Sequence, residues 1–168
     1  MLDIWYKETI ESILKKAVSK ENDSYLFYKN AANNAKDAHV KNALNKLAEK
    51  EQRHIQAIEA LDIKRLKRRK MEEINETSQQ WIAEYLISTE EGLSKGSDFK
   101  DVFIYAAKRE KKAFEFYHGM SKLVEDPELK KLFVWLAQEE SKHKEDIEAF
   151  FWDAIYCKDI KIGTITYI

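Results

Sequence analysis

Glutamate and histidine recur at helical spacing inside apolar stretches of this 168-residue chain. Three positions separate Glu51 from His54, and the same spacing separates Glu140 from His143. Because residues three apart are neighbours on a helix surface, each pair can direct a carboxylate and an imidazole toward one point. Ligands of these two types, without thiolates, suit iron or manganese, and zinc is a further alternative. The chemistry that these residues indicate first is metal binding.

Two more glutamates, Glu21 and Glu110, also lie in apolar stripes, with apolar neighbours three, four and seven residues away. An ionised carboxylate in a core is costly unless it is paired or bound to a metal. The four glutamates together carry the charge that two divalent cations would neutralise. We therefore expect six side chains to converge in the middle of a helical bundle around two metal ions: Glu21, Glu51, His54, Glu110, Glu140 and His143.

The two halves of the chain repeat each other at an offset of 89 residues, without a gap. The matched pairs include Glu21 with Glu110, Phe27-Tyr28 with Phe116-Tyr117, Asp37 with Asp126, Glu51 with Glu140, and His54 with His143. Chance likeness between amphipathic helices rich in Ala, Leu and Glu is the alternative explanation. It does not account for the histidines, since only four occur and two of them match. The repeat predicts two copies of a helical hairpin related by an approximate two-fold axis.

Four long amphipathic patterns must position these side chains, and they cover residues 9–34, 38–61, 97–123 and 127–157. Ser97 or Asp98 is expected to cap the third helix, and Pro127 suits the first position of the fourth. Short links join the first helix to the second and the third to the fourth, so each pair should be antiparallel.

The connection between the second and third helices is too long for a bare loop in a compact domain. Trp81, Ile82, Tyr85 and Leu86 predict a short helix within it. The sequence thus predicts an all-α, ferritin-like four-helix bundle of two repeated antiparallel hairpins with a long crossover. We assign this bundle to residues 1–157, followed by a C-terminal tail over residues 158–168.

One Glu from each of two helices and Glu-x-x-His from each of two others form the ligand pattern of ferritin-like di-iron and di-manganese bundles. The segments AVSKENDSYLFYKNAA and AAKREKKAFEFYHGM resemble the first and third helices of the rubrerythrin family. The segments LAEKEQRH and LAQEESKH resemble its second and fourth helices. This resemblance implies a di-iron centre that reacts with hydrogen peroxide or dioxygen, often in a homodimer. It also implies that Glu51 and Glu140 bridge the two metals.

Two departures from the family bear on function. Rubrerythrins usually add a rubredoxin domain with four cysteines, whereas Cys157 is the single cysteine here. They also carry a glutamate, three residues after the third-helix ligand, that helps one iron move between ligands; this chain has Ala113 there. Two functions therefore stay open. One is an oxidoreductase that reduces peroxide or oxygen with electrons from an external carrier, and the other is a non-catalytic protein that binds, stores or senses iron.

Tyr28 and Tyr117 occupy equivalent positions, two turns after Glu21 and Glu110. Two interpretations are open for them. Their hydroxyls can hydrogen-bond ligand carboxylates, or their rings can simply fill the core.

The remaining features predict neither nucleic-acid nor membrane binding. The net charge is -1, and the basic run at residues 64–70 has no aromatic residues interleaved. No apolar run reaches the roughly 18–20 residues of a membrane span. The N-terminal residues lack the pattern of a signal peptide, and a lone cysteine suits a reducing compartment, so we expect a cytoplasmic protein.

Overall fold

The structure is a computed structural model, and it describes residues 10–61, 76–87, 93 and 97–156. These residues form the helices α1 (Ile10–Asn34), α2 (Ala38–Glu59), α3 (Glu76–Ile87), α4 (Phe99–Leu123) and α5 (Pro127–Tyr156), and no strand occurs among them. The all-helical architecture confirms the predicted ferritin-like bundle. The basic run at residues 64–70, Cys157 and the tail at residues 158–168 lie outside the described residues.

The bundle consists of the two predicted hairpins. α1 packs mainly on α2, and α4 packs mainly on α5, while contacts between α2 and α5 join the hairpins. The helix α3 lies in the long crossover, as predicted, and contacts α1 and α4. No described helix is both long enough and apolar enough to span a membrane.

Side-chain caps set the helix starts, and the repeat extends to them. Asp37 accepts hydrogen bonds from the backbone N–H groups of His39 and Val40 at 2.8 and 3.1 Å. Its counterpart Asp126 accepts the same two bonds at the start of α5. Of the two candidate caps for α4, the structure selects Asp98, which forms a reciprocal capping box with Asp101. Each such cap stabilises its helix by about 1 kcal/mol.

Buried apolar side chains form two clusters, one on either side of the glutamates. One cluster holds the start of α1 and the end of α4, with Tyr117, and the other holds the end of α1, with Tyr28, and the start of α4. Glu21 and Glu110 lie between them, at the middle of their helices. The packing therefore leaves one polar layer across the centre of an otherwise apolar bundle.

The crossover helix is seated in a notch at Gly119 on α4. A Cβ atom at this position would lie 2.6 Å from Cζ2 of Trp81, closer than any packed pair of carbons. The rings of Trp81 and Tyr85 both stack on Phe116, one turn before Gly119. The missing side chain of Gly119 thus admits the indole and fixes the position of α3.

We expect Gly119→Ala to destabilise the protein by about 1–3 kcal/mol, the usual penalty for overpacking. The sign of this change in the free energy of unfolding is diagnostic, because Gly→Ala inside a helix otherwise stabilises a protein by about 0.5–1 kcal/mol. In a Trp81→Ala background the clash is absent, so the same change should become stabilising. Urea unfolding of the two single variants and the double variant measures this reversal. Equal effects of Gly119→Ala in both backgrounds would show that Trp81 does not occupy the notch.

Candidate metal centre

The six side chains predicted from the sequence all lie in this central polar layer. α1 contributes Glu21 and α4 contributes Glu110, while α2 and α5 each contribute a Glu-x-x-His pair. None of the six is more than 2% exposed. Every bundle helix therefore places at least one of these six side chains in a layer closed to solvent.

The Nδ1 atom of each histidine faces three carboxylates. For His54 the partners are Glu21 Oε2 at 3.0 Å, Glu140 Oε1 at 3.2 Å and Glu51 Oε2 at 3.6 Å. For His143 the partners are Glu110 Oε2, Glu51 Oε1 and Glu140 Oε2, each at 3.3 Å. The two imidazole rings are stacked, with centroids 4.9 Å apart and an interplanar angle of 5°.

These distances divide the glutamates into two kinds. Glu51 and Glu140 each direct one oxygen toward His54 and the other toward His143. Glu21 faces His54 alone, and Glu110 faces His143 alone. The arrangement has the geometry of two equivalent half-sites that share two carboxylates.

The residues fit a pair of metal ions. Ligand atoms about 2.0–2.2 Å from one metal and at right angles to each other lie about 3 Å apart, close to the separations here. One ligand atom from each of Glu51, His54, Glu140 and His143 lies within 4.8 Å of the other three. Within the described residues, both oxygens of Glu140, Oε1 of Glu51 and Nδ1 of His143 have no hydrogen-bond partner. Buried acceptors left in this state are stabilised by a cation.

Comparison with known proteins identifies the family. Residues 12–151 match the rubrerythrin family. The chain belongs to the rubrerythrin family. Rubrerythrins hold a di-iron centre, so membership and the buried group of glutamates and histidines agree on a metal protein.

The fold of this rubrerythrin-family chain is similar to that of a solved structure, described as a two-domain protein with DJ-1/ThiJ/PfpI-like and ferritin-like domains, from Anabaena variabilis. The TM-score is 0.60 at 14% sequence identity, over 99% of this chain and 43% of that one. This likeness shows the ferritin-like fold alone. A search of curated protein sequences gives no significant match.

Two buried tyrosines of this rubrerythrin-family bundle hold Glu21 and Glu110, the outer glutamates, each of which faces a single histidine. The Tyr117 hydroxyl donates a hydrogen bond to Glu21 Oε1, and the Tyr28 hydroxyl donates one to Glu110 Oε1. Of the two interpretations that the sequence left open, the structure therefore shows hydrogen bonding. Each tyrosine crosses to the glutamate of the other repeat, so these bonds join the two hairpins through the centre.

Burial and mutual repulsion change the protonation of the carboxyls in the metal-free protein. Burial raises the pKa of Glu21 to about 7. Burial, followed by the charges of Glu21, Glu51 and Glu110, raises the pKa of Glu140 well above its usual range. Burial alone would also raise the pKa of Glu51, but the neighbouring imidazoles of His143 and His54 outweigh it and hold that pKa well below its usual range.

Burial shifts the pKa of an imidazole downward, opposite to its effect on a carboxyl. Burial would lower the pKa of His143, but the neighbouring carboxylates of Glu110, Glu140 and Glu51 outweigh it and raise that pKa to about 11. The same balance raises the pKa of His54 well above its usual range. Without metal, the centre therefore stores protons at neutral pH, and a metal ion must displace them to bind.

We expect the metal-free protein to become less stable between about pH 6 and pH 8. Groups with a raised pKa bind more protons in the folded than in the unfolded state, so their contribution to stability falls as pH rises. For Glu21 the fall runs from about 4.5 to about 7, and for His143 from about 6.5 to about 11. Glu51, whose pKa is lowered, contributes stability that increases with pH. That increase occurs below pH 4.5, so it is complete at neutral pH and does not affect this range.

Thermal melts of chelator-treated protein at the two pH values measure this effect. His143→Gln removes one of the groups and should weaken the dependence, whereas His118→Gln, at an exposed histidine, should leave it unchanged. A midpoint that is equal or higher at the alkaline pH would contradict the proposed proton storage.

Neither the repeat nor the ligand spacing indicated three residues that lie around the centre: Trp135, Arg109 and Tyr85. The Trp135 ring packs in a T-shaped arrangement with His54, with centroids 5.5 Å apart. Arg109 donates a hydrogen bond to Ser24 Oγ at 2.9 Å. Burial, followed by the charges of Glu21 and Glu140, raises the pKa of Tyr85. Their roles depend on how the helices pack, which no local pattern records.

Proposed function

We propose that this protein is a di-iron oxidoreductase that reduces hydrogen peroxide or dioxygen with electrons from an external carrier. The supporting observation is the pair of shared carboxylates, Glu51 and Glu140, each facing both histidines. An iron pair, when bound, supplies two electrons together, which is the number that converts one peroxide into two waters. The rubrerythrin family supports iron over manganese or zinc.

The six side chains would form two half-sites, one for each metal ion. Glu21 and His54 would hold one ion, Glu110 and His143 the other, and Glu51 and Glu140 would bridge them. The hydrogen bonds from Tyr117 and Tyr28 engage one oxygen of Glu21 and of Glu110, and the other oxygen of each, which faces a histidine, would bind metal. Because all six ligands are buried, the reacting oxidant would meet the centre away from bulk water.

The same proposal predicts a slower enzyme than one with the complete family pattern. Ala113, where the family has a glutamate, removes a carboxylate that would stabilise the oxidised state. Ala113 packs against the cluster that contains Tyr117. An additional open coordination position should remain for the oxidant, since six protein ligands do not saturate two six-coordinate ions.

We expect protein purified without oxygen to bind two ferrous ions per chain and to be oxidised faster by hydrogen peroxide than by dioxygen. Metal analysis measures the stoichiometry, and stopped-flow absorbance after mixing the diferrous protein with each oxidant measures the rates. Faster oxidation by dioxygen, or a single tightly bound ion, would contradict the proposal.

The alternative, a non-catalytic iron protein, is supported by Ala113. It predicts a different result in repeated cycles. A catalyst returns to the diferrous state when a reductant is added and consumes further peroxide at the original rate. A storage protein takes up more iron than six ligands can hold, and a sensor reacts once without turnover. Peroxide consumption against added reductant separates the three.

Two further expectations stay predictions. The family resemblance implies a homodimer, which light scattering of the iron-loaded protein would measure. The single cysteine suits a cytoplasmic location, which fractionation of cells that express the protein would measure.

A further inference from the structure

A row of aromatic rings leads outward from one of the predicted ligands. The Tyr117 hydroxyl bonds Glu21, and the Tyr117 ring lies 5.2 Å from that of Phe116. Phe116 stacks on Tyr85 at 4.1 Å and on Trp81 at 5.8 Å. Tyr117 and Phe116 are buried, whereas Tyr85 and Trp81 on α3 are only partly buried. The row therefore connects the centre of the bundle to its surface in short steps.

A matching row starts in the other repeat and ends on α4. Tyr28, which bonds Glu110, lies 5.1 Å from Phe27, and Phe27 lies 5.2 Å from the partly buried Tyr105. This row follows from the repeated Phe-Tyr dipeptide, but its outer end differs. The Arg109 guanidinium lies over both Phe27 and Tyr105, at 5.7 and 5.8 Å from the ring centroids.

A cation over a ring opposes the loss of an electron from that ring, because it favours the electron-rich form. Arg109 therefore disfavours oxidation at the outer end of the Tyr28 row. In the Tyr117 row, Lys20 lies over Tyr85 at 5.5 Å, but no cation lies over Trp81 among the described residues. Within the part of the chain that the structure describes, Trp81 is therefore the outer ring whose oxidation no stacked cation opposes.

We propose that Tyr117, Tyr85 and Trp81 form a relay that carries an oxidising equivalent from the metal centre to the surface. The relay would act when peroxide meets a centre that can supply only one electron, and it rests on the proposed function. Peroxide would then receive one electron from the bound ferrous ion and one from the Tyr117 phenol. The phenol proton passes along the hydrogen bond to Glu21, and two protons from solvent complete two waters.

In the second step Tyr117 recovers an electron from Trp81, directly or through Tyr85, and recovers its proton from Glu21. Trp81 loses its indole proton to solvent and becomes a neutral radical. The balance is hydrogen peroxide, one ferrous ion, one tryptophan and one proton, giving one ferric ion, one tryptophan radical and two waters. The external electron carrier, with one proton, then restores Trp81.

Phe116 has a structural part in this relay. It is not itself readily oxidised, but it contacts all three oxidisable rings and holds them at short separations. Phenols and indoles yield electrons only to strong oxidants, such as those formed from peroxide. The relay would therefore operate only when such an oxidant forms at the centre. Its effect would be to protect the ligands, His54 and His143 among them, from damage.

Radical trapping tests the relay. The protein, loaded anaerobically with one ferrous ion per chain, is mixed with hydrogen peroxide and a nitroso spin trap. Peptide mass spectrometry then locates the adduct, and electron paramagnetic resonance of rapidly frozen samples identifies the radical. We expect the adduct on Trp81, with a smaller amount on Tyr85. Trp152 is the internal control, since it is 53% exposed and belongs to neither row.

Variants separate the relay from indiscriminate oxidation. Tyr117→Phe should abolish most of the Trp81 adduct, and Trp81→Phe should move the adduct to Tyr85. The double variant Trp81→Phe/Tyr85→Phe keeps the ring packing and should confine the radical to Tyr117. Trp152→Phe should leave the Trp81 adduct unchanged.

Three results would overturn the inference. The first is equal labelling of Trp152 and Trp81, and the second is a Trp81 adduct that survives in Tyr117→Phe. The third is complete absence of an adduct at Trp81 and Tyr85 while iron is oxidised at the normal rate, which would leave the proposed function intact. If peroxide fails to oxidise the iron, the proposed function fails and the relay fails with it.

Discussion

Replacing Glu51 with alanine should slow the oxidation of the iron-loaded protein by hydrogen peroxide at least about 100-fold. Loss of a group that merely supports a ligand already costs about 10–100-fold in metal affinity or activity. Glu51 faces both histidines, so its loss affects both half-sites at once. Stopped-flow absorbance of the anaerobic ferrous protein mixed with peroxide measures the rate. Glu49→Ala, at an exposed glutamate of the same helix, is the matched control and should react as the parent does.

The bridging assignment predicts a ranking among the glutamates. Glu51→Ala and Glu140→Ala should each reduce the binding of both ions, whereas Glu21→Ala should weaken mainly the ion beside His54. Metal content per chain, measured beside the oxidation rate, distinguishes these cases. A Glu51→Ala protein that reacts as fast as the parent would show that the paired site is not the reactant, and the storage or structural function would then replace the oxidoreductase.

The second large effect concerns stability. We expect ferrous iron to raise the thermal midpoint by about 10–20 °C at neutral pH. Two sites, each filled at about 100 times its dissociation constant, stabilise the folded state by about 5 kcal/mol. For a domain of this size, each kcal/mol corresponds to about 2–4 °C. Melts of the same sample, with chelator and with excess ferrous iron, measure the shift. No shift would mean that protein contacts already satisfy the four carboxylates.

Glu140→Gln separates metal binding from folding. The amide is nearly the same size as the carboxyl but carries no charge, and in the metal-free protein the pKa of Glu140 is already raised by burial and by three neighbouring carboxylates. The metal-free variant should therefore be at least as stable as the parent, while most of the shift with iron is lost. Glu145→Gln, at an exposed position of the same helix, should keep the full shift. A metal-free Glu140→Gln protein that is much less stable than the parent would mean that the carboxyl has a structural role of its own.

Local patterns were sufficient for the helices. The predicted span 9–34 corresponds to Ile10–Asn34, and 38–61 corresponds to Ala38–Glu59. The agreement follows from long amphipathic periods bounded by aspartate caps and a proline, whose effects extend over only a few residues. The glutamates were also visible in the sequence because an ionisable side chain in an apolar stripe is buried at a cost and therefore implies a partner.

Contacts between helices could be decided only by the tertiary structure. Helical periodicity determines which face of a helix carries a residue, but not its height relative to a residue on another helix. The repeat alone could not show that Tyr117 bonds Glu21 and Tyr28 bonds Glu110, rather than each bonding within its own hairpin. The seating of Trp81 in the notch at Gly119 was likewise invisible, since a glycine in a helical pattern has the same local signal whether or not an indole covers it.

The sequence by itself thus determined the class of fold, the repeat and the six side chains of the central polar layer, because each depends on residue type and spacing along one helix. The packing of the helices decided which carboxylates face both histidines, which tyrosine holds which glutamate, and that Tyr85 of the crossover stacks on Phe116. Those features depend on the relative stagger of helices far apart in the chain, which is set by the complementary shapes of their buried side chains.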